Sequence, residues 1–357
     1  MTTTEIQNDL SEGQGRGFYR AAVFRRQAIL ATLLMGLLLS LCFDLALGPA
    51  RYSLQQVVTA IFMPGSASLQ ERVVLWDIRM PIALMAVIVG ASLSVAGAQM
   101  QTILNNPLAS PFTLGISAGA SFGAALALAF GIAIIPGSIQ YVVPLNAFVM
   151  AMLTALLIHL LTLKRGVTVE TIVLLGIALV FSFNALLALI QFFASQQALS
   201  AVVFWTMGSL TKATWPKVWI TLAVFVAVIP FFIRRGWALT AMRLGDTKAE
   251  SFGVNAKRLR LETLVLVSLL SAIPVAFVGT IGFIGLVGPH IARILVGEDQ
   301  RFFLPASALC GALILSLSSI VSKVLIPGTV FPIGIVTSLV GIPFFLSLIL
   351  RTSRPSW

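Results

Sequence analysis

The sequence predicts an all-α, polytopic membrane protein of about ten transmembrane helices with both termini in the cytoplasm. Three observations predict it. The first is a stretch of 84 consecutive residues, Met80 to Leu163, without one Asp, Glu, Lys or Arg. A soluble domain cannot keep so much backbone and apolar surface from water, whereas a bilayer core about 30 Å thick takes roughly 20 apolar residues per helix. The second is composition. Charge-free runs also cover Thr171–Thr211, Thr263–Ala292, Phe302–Ser322 and Val324–Leu350, and the chain is 58% hydrophobic and 10% charged, with a mean hydropathy of +1.01. The third is the placement of positive charge. Alternating ten spans from an inside N-terminus leaves 17 Lys and Arg on the inner side and 6 on the outer, the bias that orients membrane proteins. Nine spans would put the charged ends on opposite faces and lose that bias.

The first span, 28–47, follows Arg16, Arg20, Arg25 and Arg26. It is longer than the apolar core of a secretory leader and no small-residue cleavage pattern follows, so it is expected to stay as the first crossing. The others lie near 82–104, 113–135, 143–163, 171–194, 217–233, 263–281, 283–297, 305–325 and 332–350. Turns are punctuated by Asn106-Pro107, Pro136-Gly137, Pro144, Pro216, Pro305 and Pro327-Gly328. The sixth and eighth spans are short, and Gly288-Pro289 interrupts the eighth. Residues 1–27 then form a cytoplasmic N-terminal segment, 28–351 a single transmembrane domain with a polar loop at 234–262, and 352–357 a cytoplasmic tail. Gly115, Gly119 and Gly123 fall at i, i+4, i+8, a stripe that lets helices approach closely. Gly279, Gly282, Gly285 and Gly288 recur every third residue between the seventh and eighth spans. Spans two to five and seven to ten run in opposite senses, an arrangement that permits an inverted repeat, although no residue-level repeat is visible.

The net charge of +11 is spread among loops, not gathered on one face, which argues against a nucleic-acid partner. Cys42 and Cys310 lie inside apolar runs and, with His159 and His290, make no metal-ligand spacing. His159 reads as a packed core residue. There is no GxxxxGK[ST], GxSxG or HExxH motif, so neither a catalytic residue nor a bound cofactor is expected on this chain. Ion-coupled transporters need buried carboxylates. Asp44 is the one acidic residue clearly inside a span, and spans two to five have none. An ion-coupled secondary transporter is therefore the alternative, not the first reading. The polar loop contains Leu244, Gly245, Asp246, Thr247, Lys248, Ala249, Glu250, Ser251, Phe252, Gly253 and Val254, a short amphipathic helix closed by Gly253. On composition alone it is either a solvated loop or a docking element for a cytoplasmic partner.

A set of motifs occurs in order between about residues 70 and 350. They are Arg79-Met80-Pro81, Val89-Gly90-Ala91 through Gly97-Ala98-Gln99-Met100-Gln101, Asn106-Pro107-Leu108-Ala109-Ser110-Pro111, Leu114-Gly115-Ile116-Ser117-Ala118-Gly119-Ala120, Trp205-Thr206-Met207-Gly208-Ser209, Gly282-Phe283-Ile284-Gly285-Leu286-Val287 with Gly288-Pro289-His290, and Phe331-Pro332-Ile333-Gly334. Together they resemble the FecCD/BtuC-type permeases, membrane subunits of bacterial ABC importers for iron–siderophore complexes, heme and cobalamin. The resemblance implies a BtuC-like type II importer fold in the bacterial inner membrane, paired with a second copy or a paralogous permease. It implies two cytoplasmic ABC ATPase subunits, which carry the ATP and Mg, and a periplasmic substrate-binding protein. It assigns Leu244–Gly253 to ATPase coupling, and Arg79 and Lys323 to binding-protein docking, with Ile82 where the family has a further basic residue. Asn106, Leu108, Val169 and Glu170 match the inner gate, Glu170 replacing a small hydroxyl residue. Asn184 and Gln191 of the fifth span are candidates to face the pathway. A siderophore is the expected cargo, with heme and cobalamin next.

Overall fold

The computed structural model describes residues 3–48, 52–63, 65, 68–162, 168–326 and 329–351. The predicted turn at Pro327-Gly328, the inside charges Lys164 and Arg165, and the tail 352–357 lie outside them. In lipid a backbone finds hydrogen-bond partners only within its own helix, and the apolar runs accordingly become helices. They are α1 (Thr3–Ala46), α2 (Leu54–Phe62), α3 (Leu69–Arg72), α4 (Met80–Ile103), α5 (Ile116–Phe130), α6 (Ile139–Thr162), α7 (Val169–Phe193) and α8 (Gln196–Thr206). After a 3₁₀ turn at Leu210–Lys212 come α9 (Trp215–Arg234), α10 (Gly236–Met242), α11 (Asp246–Ser251), α12 (Ala256–Val278), α13 (Ile284–Val296), α14 (Gln300–Val324) and α15 (Ile333–Arg351). A π-helical stretch, Val73–Arg79, joins α3 to α4 without a break.

An apolar helix occupies each of the ten predicted places. Among the described residues, seven are long and apolar enough to cross a membrane alone, and α5, α13 and α15 supply shorter apolar helices. The sequence reading did not separate α2, α3, α8 and α10. The α8 boundary was hidden inside a charge-free run: Ala194 is extended, and the Ser195 hydroxyl accepts the Ala198 N–H to start a new helix.

Helix α4 is the centre of the bundle. It is apolar all round and almost wholly buried, the mark of a helix surrounded by others. Its glycines set the spacing. A Cβ at Gly97 would collide with the Gly285 carbonyl on α13, and one at Gly90 with the Gly311 carbonyl on α14. Ser94 locks the second contact by donating to the Ser307 carbonyl at 2.6 Å. The Gly115-Gly119-Gly123 stripe serves two interfaces. Gly119 and Gly123 meet Thr154 and Met150 of α6, while Gly115, at φ 84°, turns the chain against Leu179 of α7. Gly97→Val should force α4 from α13 and cost about 1–3 kcal/mol, the usual penalty of overpacking. A lower unfolding temperature in detergent with unchanged helical content checks it.

Candidate functional site

Between the end of α9 and the start of α12, the short helices α10 and α11 pack into a knob. Gly245 (φ 91°) opens α11 and Gly253 (φ 80°) closes it. Both positions require the left-handed region that glycine enters without strain. Ala249 is fully buried and Val254, packed with Met242 and Leu239, anchors the knob in an apolar cluster. The opposite face carries Asp246, Thr247, Lys248, Glu250 and Ser251, all exposed. It also shows Leu244 at 54% and Phe252 at 55% exposure. Phe252 meets Trp237 edge-on at 6.5 Å, and a cavity of about 320 Å³ opens between them, Leu244 and Arg243. The predicted amphipathic helix is therefore present but shorter, with Leu244-Gly245 forming the turn before it.

Two ionic links tie this knob to the last turn of α4. Arg260, in the second turn of α12, donates from Nη2 to both Asp246 carboxylate oxygens at 2.7 and 2.9 Å, and from Nε to the Ile103 carbonyl at 3.0 Å. On the other flank Arg243 pairs with Glu298, which also pairs with Arg293 Nε at 3.1 Å. Arg293 Nη2 in turn donates to Gln101 Oε1 at 2.9 Å. Gln99 Nε2 donates to Gln300 Oε1 at 3.0 Å, and Gln300 Nε2 to Thr102 at 3.2 Å. Helices α12, α13 and α14 thus each reach α4 within one turn. Sequence reasoning missed Arg260, Arg243, Glu298, Arg293 and Gln300. The signal was there in Gln99 and Gln101, since an amide inside a span calls for a polar partner on another helix.

The predicted gate follows directly. Asn105 is a non-glycine residue at φ 42°. Asn106 N–H donates to the Gln101 carbonyl at 3.1 Å, and its side-chain oxygen accepts the Leu108 N–H at 2.9 Å. Val169 packs on the apolar cluster that holds Leu104 and Ala109, whereas Leu108 and Glu170 are exposed. Along α7, Leu174, Ile177, Phe181 and Asn184 are exposed at helical spacing, with Gln191 half-buried below them. The first four form a stripe within the wider exposed surface of α7.

Arg79 and Lys323, expected as docking cations for a binding protein, both turn inward within this chain. Arg79 is 5% exposed and donates from Nη1 to the Leu45 and Ala46 carbonyls at 2.7 and 3.0 Å. Lys323 Nζ reaches Asp44 Oδ1 at 2.8 Å and the Asp44 carbonyl at 3.1 Å, while Ser319 donates to the same carboxylate. The cause is the end of α1. A helix C-terminus leaves its last carbonyls unpaired at the negative end of the dipole, and these two cations satisfy them.

A bundle of apolar helices around a polar-tied central helix, with a polar knob at one end, is the architecture of a multi-pass membrane protein. Comparison with known proteins agrees. A chain named as an ABC transporter permease in Methanocaldococcus jannaschii is 42% identical over 89% of this chain and 93% of its own length. The vitamin B12 import system permease protein BtuC of Vibrio cholerae is 34% identical over 89% of this chain and 93% of its own. A solved structure, an inward-facing conformation of a metal-chelate type ABC transporter, superposes with a TM-score of 0.79 at 29% identity, covering 91% of this chain and 99% of that one. The chain belongs to the FecCD transport family, whose profile matches residues 36–351. It is an ABC transporter permease, a transport subunit and not itself an enzyme.

Proposed function

We propose that this permease carries an iron(III)–siderophore, or a related chelate such as heme or cobalamin, from periplasm to cytoplasm across the bacterial inner membrane by alternating access. Two ABC ATPase subunits, holding the ATP and Mg, seat on the α10–α11 knob from inside, and a binding protein delivers the cargo outside. The observation that carries this reading is the knob itself: Leu244, Trp237 and Phe252 stand exposed on a polar loop, where a cluster of large apolar side chains marks a contact surface. In this reading all ten apolar helices cross, and α5, α13 and α15 gain length from non-helical segments packed inside the protein. The α7 stripe faces a second permease and the pathway between the two copies, because Asn184 would be costly against lipid. The ion-coupled alternative gains nothing from Asp44, whose carboxylate is tied to Lys323 and Ser319.

Uptake into proteoliposomes containing the permease and its co-purifying ATPase, measured with a panel of chelates, tests the proposal. Uptake should require ATP and select one chelate class. Accumulation with no nucleotide would overturn it.

A further inference from the structure

We propose that Arg260 is a positioning residue that transmits movement of the α10–α11 knob to the gate segment Asn105–Leu108. The inference rests on the ATPase-docking reading above and on the inner-gate role that the family resemblance implies for Asn106 and Leu108, and it adds the route by which docking acts. One guanidinium holds three points at once: both Asp246 oxygens at the start of α11 and the Ile103 carbonyl at the end of α4. Charge-assisted bonds of this length are the strong ones, and the planar guanidinium fixes direction as well as distance. The Arg260 side chain is 14% exposed, so water competes little for it.

What lies beyond Ile103 makes the contact more than a brace. Helix α4 stops there, Leu104 is its cap, and Asn105 follows in the left-handed region at φ 42°. Asn is the side chain that most readily takes this position after glycine, and here it closes α4 in a Schellman cap: its own N–H donates to the Thr102 carbonyl at 3.3 Å, so the chain leaves α4 in a direction fixed by the helix's last turn. The gate residues Asn106 and Leu108 follow at once, and the Asn106 N–H is bonded back to the Gln101 carbonyl of the same α4 turn. Moving the Ile103 carbonyl therefore moves the anchor of the gate segment. The other flank of the knob reaches the same turn through Arg243, Glu298, Arg293 and Gln101. A push on the knob is thus delivered to one helical turn from both sides. By contrast, the neighbouring Arg258 pairs, among the described residues, along its own helix with Glu262, and its side chain is 73% exposed.

The test uses the full permease with its co-purifying ATPase, carrying Leu108→Cys in a background of Cys42→Ala and Cys310→Ala. The rate of alkylation of that cysteine is read with and without ATP and Mg. With Arg260 intact, nucleotide should change the rate by about ten-fold, a common size for coupling between sites. With Arg260→Met the nucleotide response should fall to about two-fold or less, while the ATPase still co-purifies and still hydrolyses ATP. Arg258→Ala should behave as the parent. Asp246→Ala removes the far end of the link without touching α12, and should reproduce the Arg260→Met result; it decides the question alone if Arg260→Met is not recovered folded. An undiminished nucleotide response in Asp246→Ala or in folded Arg260→Met overturns the proposal. Loss of the ATPase from the parent preparation would instead overturn the docking reading on which it rests.

Discussion

Asp44→Ala is expected to destabilise the protein by about 3–5 kcal/mol, because it strands the buried Lys323 ammonium without its counter-charge. The Asp44 side chain is fully buried and that of Lys323 is 8% exposed. Neither group can recover its hydration after the other is removed. Lys323→Met should cost a similar amount, and the double variant Asp44→Ala/Lys323→Met should recover most of the loss, since removing both charges removes the desolvation problem with them. Thermal unfolding of the purified protein in detergent measures all three. The same series separates two roles for Lys323. A docking cation would leave the unfolding temperature unchanged on substitution and weaken binding-protein association most at low salt, where exposed charges act over longer range. A cation that satisfies the end of α1 lowers the unfolding temperature at any salt concentration. An unfolding temperature unchanged in both single variants would refute the structural role.

This pair also shows where sequence reading stops. That Arg79 and Lys323 sit at the ends of apolar helices was legible from the charge-free runs that follow and precede them. Their partners were not, because those partners are the Leu45, Ala46 and Asp44 carbonyls of α1, and a main-chain oxygen leaves no mark in a sequence. Asp44 was noticed as an acidic residue inside a span, but its pairing with Lys323 joins positions 279 residues apart. The ten apolar helices were readable because hydropathy at a 20-residue scale reports the solvent of each segment directly. Short helices outside lipid leave a weaker trace. Helix α2 depends on a capping box between Ser53 and Gln56, and α10 begins directly after Arg235 with no side-chain cap. The Gly115-Gly119-Gly123 stripe predicted close packing correctly, yet Gly115 serves α7 while Gly119 and Gly123 serve α6, a division that spacing alone does not contain. Most of the site's polar wiring was missed for the same reason as the α1 cap: Arg260 looked like one of seven inside cations until the structure placed it against Ile103 and Asp246.

Removing the apolar tip of the knob should have the largest effect on function. Leu244→Asp/Phe252→Asp leaves the buried anchor Ala249 and the Arg260–Asp246 pair untouched, so the permease should insert and fold normally. It places two carboxylates where a partner would have to desolvate them, a penalty of several kcal/mol when no counter-charge is supplied. ATPase association should weaken at least 100-fold, equivalent to about 2.7 kcal/mol, and nucleotide-driven uptake should fall below detection. Deleting Asp246–Gly253 is the more drastic form and should also abolish uptake, but it takes Asp246 from Arg260 and so disturbs the α4 link together with the docking surface. The two variants therefore report different things. If the double substitution abolishes ATPase co-purification while folding is retained, the exposed apolar tip is the seat of the motor. If the ATPase stays bound at parental affinity and uptake persists, Leu244 and Phe252 are not the contact and the docking assignment fails, whatever the deletion does. Membrane insertion follows from the apolar helices and not from the knob, so both variants should reach the membrane at parental levels, and immunoblotting of the membrane fraction supplies that control.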